Sequence, residues 1–273
     1  MSVWEAIILG IIQGLTEFLP VSSSGHLVIA QGFLPGFQQQ GVLFDVMLHI
    51  GTLLAVVFFL WQEIVDILKA LAPRTQAAVA HGHNDNISVR RRIALYIIIG
   101  TIVTGTIGIL CKDVIHHLFE SVEIAGAMLL VTGILLFAAE RMPHATRTEK
   151  EMTAVDALVI GLAQACALMP GISRSGATIA FGLFRHIDGE TAARFSFLLS
   201  IPAILGATVL EIGYVQTVSL HEILVYGVGM LTAAVVGFGA LRLLFIIIKK
   251  RELRFFAYYC WCVGIVTLLI KAV

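Results

Sequence analysis

Charge is what this sequence has least of. Only 13% of its 273 residues are Asp, Glu, Lys or Arg, about half the share a soluble domain carries. Hydrophobic residues make up 58%. Together these exclude a water-soluble globular protein and point to an integral membrane protein. The 18 basic and 18 acidic residues cancel, so no nucleic-acid partner is expected. Cysteine is scarce as well. Cys111, Cys166, Cys260 and Cys262 lie in or beside apolar segments, and the last two point to different helix faces. They are read as small buried hydrophobes, which excludes a disulfide framework or a zinc set. The opening MSVWEAIILG has no basic flank and no small-residue cleavage site, so no removable signal peptide is expected.

What is present is long apolar sequence. Six stretches, at about 42–68, 93–111, 122–140, 193–217, 221–248 and 254–272, are long enough to cross a hydrocarbon core of roughly 30 Å. Two more, 3–35 and 154–187, are broken in the middle by LPVSSSG and MPGISRSG. Each half of these is too short to cross alone. Each pair therefore reads as a re-entrant helix–turn–helix hairpin, which is tolerated only where its turn is buried in protein or lines a wet cavity.

The halves repeat. A shift of 151 carries Gly10 onto Gly161, Gln13 onto Gln164, Ser22 onto Ser173, Ser24 onto Ser175 and Gly25 onto Gly176. Residues 1–150 and 151–273 are thus two copies of one hairpin plus three spans, within one membrane domain. Three is odd, so the second copy enters from the opposite side. The expected fold is an all-α polytopic membrane protein, six transmembrane helices plus two re-entrant hairpins, arranged as an inverted-topology repeat with its polar site near the midplane. Twelve Lys and Arg lie in the loops at 69–92, 141–153 and 249–254, against Lys112 and Lys271 opposite. The basic side should be cytoplasmic, leaving the termini and the mouth of the first hairpin outside. The 73–92 loop contains HGHND, 81–85, which has too few ligands for a closed metal site and reads as solvated.

The polar turns carry the chemistry. In QGLTEFLPVSSSGH, 13–26, Gln13 and Glu17 share a helix face. Pro20 ends that helix, Ser22, Ser23, Ser24 and Gly25 make the turn, and His26 opens the next. A carboxylate at membrane depth is costly and by default functional. In PGISRSGAT, 170–178, Arg174 offers a planar fork for phosphate oxygens. Ser173, Ser175 and Thr178 are donors, and Gly176 opens a helix whose free N–H groups suit an anion. Leu168 stands where the first copy has Glu17, so acid, histidine and hydroxyls fall to the first turn and anion grip to the second. Asp45 and His49, one turn apart on the first span, are a weaker signal. Gly229, Ala233 and Gly237 read as a packing seam.

These two turns resemble the signature turns of the undecaprenyl-diphosphate phosphatase, or bacitracin-resistance, family. QGLTEFLPVSSSGH matches its first motif, Glu or Gln, three residues, Glu, then a serine-rich turn; PGISRSGAT matches its second. The resemblance implies a bacterial plasma-membrane enzyme that removes the terminal phosphate of undecaprenyl diphosphate, recycling the carrier lipid for peptidoglycan synthesis. It also implies a divalent cation, Mg²⁺ or Ca²⁺, with Glu17 and Gln13 as candidate ligands; Gln13 leaves one carboxylate fewer than a Glu would. Partners would be the polyprenyl diphosphate lipid and the bilayer, with homodimerisation left open.

The pocket suits that chemistry. Arg174, the helix N-termini and a metal would stabilise the transferred phosphoryl group. Glu17 would hold the metal or take a proton. His26 would protonate the leaving group or attack phosphorus. Ser23, or its neighbours Ser22 and Ser24, would bind phosphate or act as nucleophile. Serine, histidine and metal-activated water all stay open. The rival class is a transporter or flippase for a phosphorylated lipid or anion, which would need the same site but no nucleophile. A membrane scaffold would need no buried charge, against which Glu17 and Arg174 stand.

Overall fold

The computed structural model describes residues 1–33, 42–72, 84–143, 146–212 and 219–272. Twelve helices lie among them, and no strand. The first half holds α1 (Val3–Phe18), α2 (Ser23–Phe33), α3 (Val42–Phe59), α4 (Trp61–Leu71), α5 (Asn84–Leu110), α6 (Lys112–Phe119) and α7 (Val122–Glu140). The second holds α8 (Ala154–Cys166), α9 (Arg174–Phe184), α10 (Gly189–Ile212), α11 (Leu220–Lys250) and α12 (Arg254–Ala272). Five helices are long and apolar enough to cross a membrane, or six if α3 and α4 count as one bent span. Large apolar side chains face outward along them, among them Phe58, Leu110 and Val235. A surface of that kind is stable only against lipid.

Several boundaries differ from the sequence reading. The expected span 42–68 is bent by 76° at Leu60, where α4 begins without a side-chain cap. Helix α5 starts at Asn84, so the polar NDNISVRRR run is its first turns and not loop. His81 and His83 of HGHND lie outside the described residues. The short α6 between Lys112 and Phe119 was not foreseen; none of its residues is buried. Three of the four cysteines, Cys111, Cys166 and Cys262, are exposed on the apolar outside, and only Cys260 is buried.

Local sequence explains how the hairpins start. Ser2 and Glu5 form a capping box on α1, and Thr153 and Asp156 form one on α8. These pairs are themselves 151 residues apart. Each box satisfies N–H groups that a helix end leaves unpaired. At 1.5 Å per residue α1 is about 24 Å long and α8 about 20 Å, both short of a roughly 30 Å core.

Each hairpin is then held by the other half. Helix α1 packs most extensively on α11, and α8 on α5. A Cβ on Gly10 would stand 2.6 Å from the Gly229 carbonyl, and one on Gly161 2.8 Å from the Gly100 Cα. Only glycine allows either crossing, and the two sit at equivalent positions. The Gly229–Ala233–Gly237 seam is packing: Gly229 abuts Phe44 and Gly237 abuts Phe18.

The basic side has its own fastening. Asp156, fully buried, accepts from Arg147 Nη2 at 2.6 Å, Arg185 Nε at 2.7 Å and the Thr153 N–H at 2.8 Å. Arg147 also bonds the Arg185 carbonyl, and its backbone pairs with Ile187. This ties the entry and exit of the second hairpin together. Burial pushes the Asp156 carboxyl up, but the hydrogen bonds from Arg147, Arg185 and Thr153 outweigh it and hold it at about 2.

Candidate active site

The two turns meet. A Cβ on Gly25 would stand 2.9 Å from the Gly171 Cα, and one on Gly176 3.3 Å from the Pro20 side chain. Ser175 Oγ, from the second turn, donates to the Leu19 carbonyl of the first at 3.4 Å. Helix α7 supports the second turn from behind: Thr132 Oγ1 donates to the Gly171 carbonyl at 2.8 Å and accepts from the Ser173 N–H at 3.0 Å. Helix α12 supports the first, with Cys260 Sγ 3.9 Å from the Pro20 carbonyl.

Glu17 is the centre of this contact. Its side chain is 3% exposed. One carboxylate oxygen, Oε1, pairs with Arg174 Nη2 from the opposite turn. The other, Oε2, accepts from Ser23 Oγ and from Gln13 Nε2 at 3.0 Å. His49 Nε2 approaches the same oxygen at 3.9 Å. A carboxylate buried this deeply needs such compensation, since an unpaired charge would be strongly destabilising. One group therefore joins a hydroxyl nucleophile candidate, a fixed cation and two further polar side chains.

The turns also present backbone donors. The first N–H groups of α2, on Ser23 and Ser24, and of α9, on Arg174 and Ser175, have no intrahelical acceptor. The next is capped in each case: the Gly25 N–H by Ser22 Oγ at 3.3 Å and the Gly176 N–H by Ser173 Oγ at 3.0 Å. Two capped helix N-termini, with Arg174 the first residue of one of them, are groups of the kind that bind a multiply charged anion.

A family model described as bacitracin resistance protein BacA matches residues 6–266. The chain belongs to that family. It is 46% identical over 264 residues to a protein from Syntrophotalea carbinolica, covering 97% of both chains. It is 44% identical over 273 residues to one from Alkaliphilus metalliredigens, covering 98% of both. A third, from Halothermothrix orenii, is 41% identical over the full length of both. All three relatives are named undecaprenyl-diphosphatase.

Of the residues that the two polar turns bring forward in the sequence, Gln13, Glu17, Ser23 and Arg174 form one hydrogen-bonded set. Ser22, Ser24, Gly25, Ser173, Ser175 and Gly176 build the two capped turns around it. Two others face elsewhere. Thr178 Oγ1 donates to the Arg174 carbonyl at 2.8 Å and meets Ser196 Oγ of α10 at 2.5 Å, so it braces α9 against α10. His26 has both ring nitrogens engaged away from Glu17. Its Nδ1 lies 2.7 Å from the Ser22 carbonyl, and its Nε2 2.9 Å from Tyr259 Oη on α12.

Sequence reasoning placed His49 only as a weak signal and missed Tyr259, Thr132, Ser196 and Asp156. The i, i+4 spacing of Asp45 and His49 on an apolar helix was the one available clue. His49 Nδ1–H donates to the Asp45 carbonyl at 2.7 Å, turning Nε2 towards Glu17. Asp45 is held by Gln31 Nε2 at 3.0 Å.

For a metal, the donors are oxygens. Among the described residues no three His, Cys, Asp or Glu side chains converge on one point, so none of these forms a protein-enclosed site of the zinc type. Gln13 Oε1 is buried and has no hydrogen-bond partner, beside the Glu17 carboxylate. One carboxylate and one orphaned carboxamide oxygen fit a hard divalent cation that takes its remaining ligands from substrate and water.

Proposed function

We propose that the protein hydrolyses undecaprenyl diphosphate to undecaprenyl phosphate and inorganic phosphate, returning the carrier lipid to peptidoglycan synthesis and conferring bacitracin resistance. The observation that carries this reading is the Glu17 carboxylate, bonded to Ser23 of its own turn and to Arg174 of the opposite one. A binding site alone needs the arginine; the hydroxyl bonded to a buried carboxylate is what catalysis adds.

Ser23 Oγ is the nucleophile. It attacks the terminal phosphorus, its proton passing to Glu17, while the bond from phosphorus to the bridging oxygen breaks. The electron pair leaves on that oxygen as undecaprenyl phosphate. Water then attacks the phosphoserine, the bond from phosphorus to Ser23 Oγ breaks, phosphate departs with both of the water's protons, and Glu17 returns its proton to Ser23. Arg174 and the N–H groups of both helix starts stabilise the charge on the equatorial oxygens. Arg174 is released from Glu17 as the proton moves there, which frees its fork for phosphate. A divalent cation, Mg²⁺ or Ca²⁺, would be held by Glu17 and Gln13. When bound it neutralises charge on the diphosphate.

The halves form an inverted repeat, at 1–150 and 151–273. The matched capping boxes, the matched glycine crossings and the exchange of α1 and α8 between halves support that reading. In the plasma membrane the basic loops lie in the cytoplasm. The first hairpin then opens outward, the head group enters through its mouth, and the isoprenoid tail stays in lipid between spans.

The test is phosphate release from a polyprenyl diphosphate by the purified protein in detergent, with and without EDTA. Release that EDTA abolishes and Mg²⁺ or Ca²⁺ restores is the expected result. No release from folded protein across chain lengths and cations would overturn the enzyme and leave the pocket to transport.

A further inference from the structure

The first turn is held in an unfavourable conformation. Ser22 has φ of +70°, a left-handed geometry that an L-residue without a special partner avoids. It immediately precedes Ser23. What keeps Ser22 there is therefore what keeps Ser23 on Glu17.

The Ser22 carbonyl accepts from the His26 backbone N–H at 3.2 Å, and the Ser22 Oγ lies 3.3 Å from Ser24 Oγ. Two further contacts tie the turn to its surroundings. The Ser22 Oγ caps the Gly25 N–H. The Ser22 carbonyl lies 2.7 Å from His26 Nδ1. A carbonyl can only accept, so Nδ1 carries the proton. In the neutral ring Nε2 is then an acceptor, and the partner 2.9 Å from it is the Tyr259 hydroxyl. The two rings lie nearly parallel, 7° apart, with centroids 5.5 Å apart. The chain of contacts runs from α12 through Tyr259 Oη, His26 and the Ser22 carbonyl to the residue before Ser23. Cys260, next to Tyr259, meets the Pro20 carbonyl on the other side of the same turn.

The geometry points to Tyr259 as a positioning residue for the proposed phosphatase reaction. It fixes the His26 imidazole as the Nδ1–H tautomer, and through it the left-handed Ser22 that aims Ser23 at Glu17. Tyr259 touches neither Glu17, Ser23 nor Arg174 in this arrangement. It acts through His26. This rests on Ser23 being the nucleophile, so the test has one arm that needs no catalysis.

The experiment compares wild type, Tyr259→Phe, His26→Gln and the double variant. Tyr259→Phe removes one hydroxyl and keeps the ring. The expected result is a fall in kcat of about tenfold with KM within about twofold, because turnover and not head-group binding depends on how the serine is aimed. His26→Gln should lower kcat at least as much, and the double variant no further. In parallel, hydrogen exchange of the backbone at 19–27 should quicken in Tyr259→Phe, with α7 and α10 unchanged. An unchanged kcat, a double variant that multiplies the single effects, or unaltered exchange at 19–27 would each overturn the assignment. If wild type releases no phosphate but exchange at 19–27 responds as described, the phosphatase reading fails and the Tyr259–His26–Ser22 support stands.

Discussion

The two turns share a frame and differ in chemistry. At a shift of 151 Gly25 falls on Gly176 and the capping serine Ser22 on Ser173, yet Glu17 falls on Leu168, Ser23 on Arg174 and His26 on Ala177. In the proposed reaction neither turn processes a diphosphate alone. The first holds a carboxylate, hydroxyls and a histidine with no cation; the second holds Arg174 with no carboxylate. Each turn also starts a helix that is capped by its own serine, Ser22 in the first and Ser173 in the second. On the proposed reading, one copy of the repeat serves binding and the other chemistry.

Variants of the groups around Glu17 have the largest expected effects. Ser23→Ala and Glu17→Ala should each lower turnover by at least about 10³-fold, as removal of a nucleophile or its base does elsewhere. Loss of Glu17 also strands Arg174. A buried pair broken on one side costs about 3–5 kcal/mol, and the lower end applies because the Arg174 side chain is 20% exposed. Thermal unfolding in detergent would show it. Arg174→Lys keeps the charge but loses the fork. A drop of about 10²-fold in kcat/KM is expected, read by phosphate release across substrate concentrations.

Asp156→Asn sharpens the comparison on the side of the frame. It should leave the chemistry nearly intact and lower the unfolding temperature by about 5 °C or more, since Arg147 and Arg185 lose their shared partner. The pH dependence follows from the sign. The folded carboxyl sits at about 2, below its ordinary 3.8. Its contribution is complete above about pH 4 and is lost as pH falls towards 2. The gap between wild type and Asp156→Asn should therefore be constant from pH 5 to 8 and shrink near pH 3.

Smaller effects test the residues that correspond in place but not in role. Thr178→Val removes the bond to Ser196 and should cost about 1–2 kcal/mol of stability, with turnover within a few-fold. Leu168→Ala, at the position of Glu17, should change turnover less than about threefold. A large loss there would mean that the second turn does more than bind.

Much of this was legible in the sequence. The motif spacing placed Glu17, the serines and Arg174, and the 151-residue shift brought both turns to one point. Helices α7 and α12 begin and end where their apolar runs do, because caps and charges bracket them. The break at Leu60 was not legible, since the run through FFLWQEIV carries no Pro or Gly to mark it. Residues 84–92 looked like loop because charge is rare in a span; they are the solvated end of a helix that continues into one. The side-chain directions were also hidden. Thr178 reads as one more hydroxyl in a polar turn, and only the packing of α9 on α10 turns it to Ser196. Tyr259 sits among aromatic residues on a lipid-facing helix, 233 positions from His26, and no local pattern connects them.

If both turns form one catalytic site, Ser23 and Arg174 act as a unit. The most direct test is a cycle of Ser23→Ala, Arg174→Ala and the double variant, assayed for phosphate release from the same polyprenyl diphosphate. The double variant should then be no worse than the poorer single one, because either loss already disables the shared site. Losses that multiply, or an Arg174→Ala variant that keeps wild-type turnover, would contradict it.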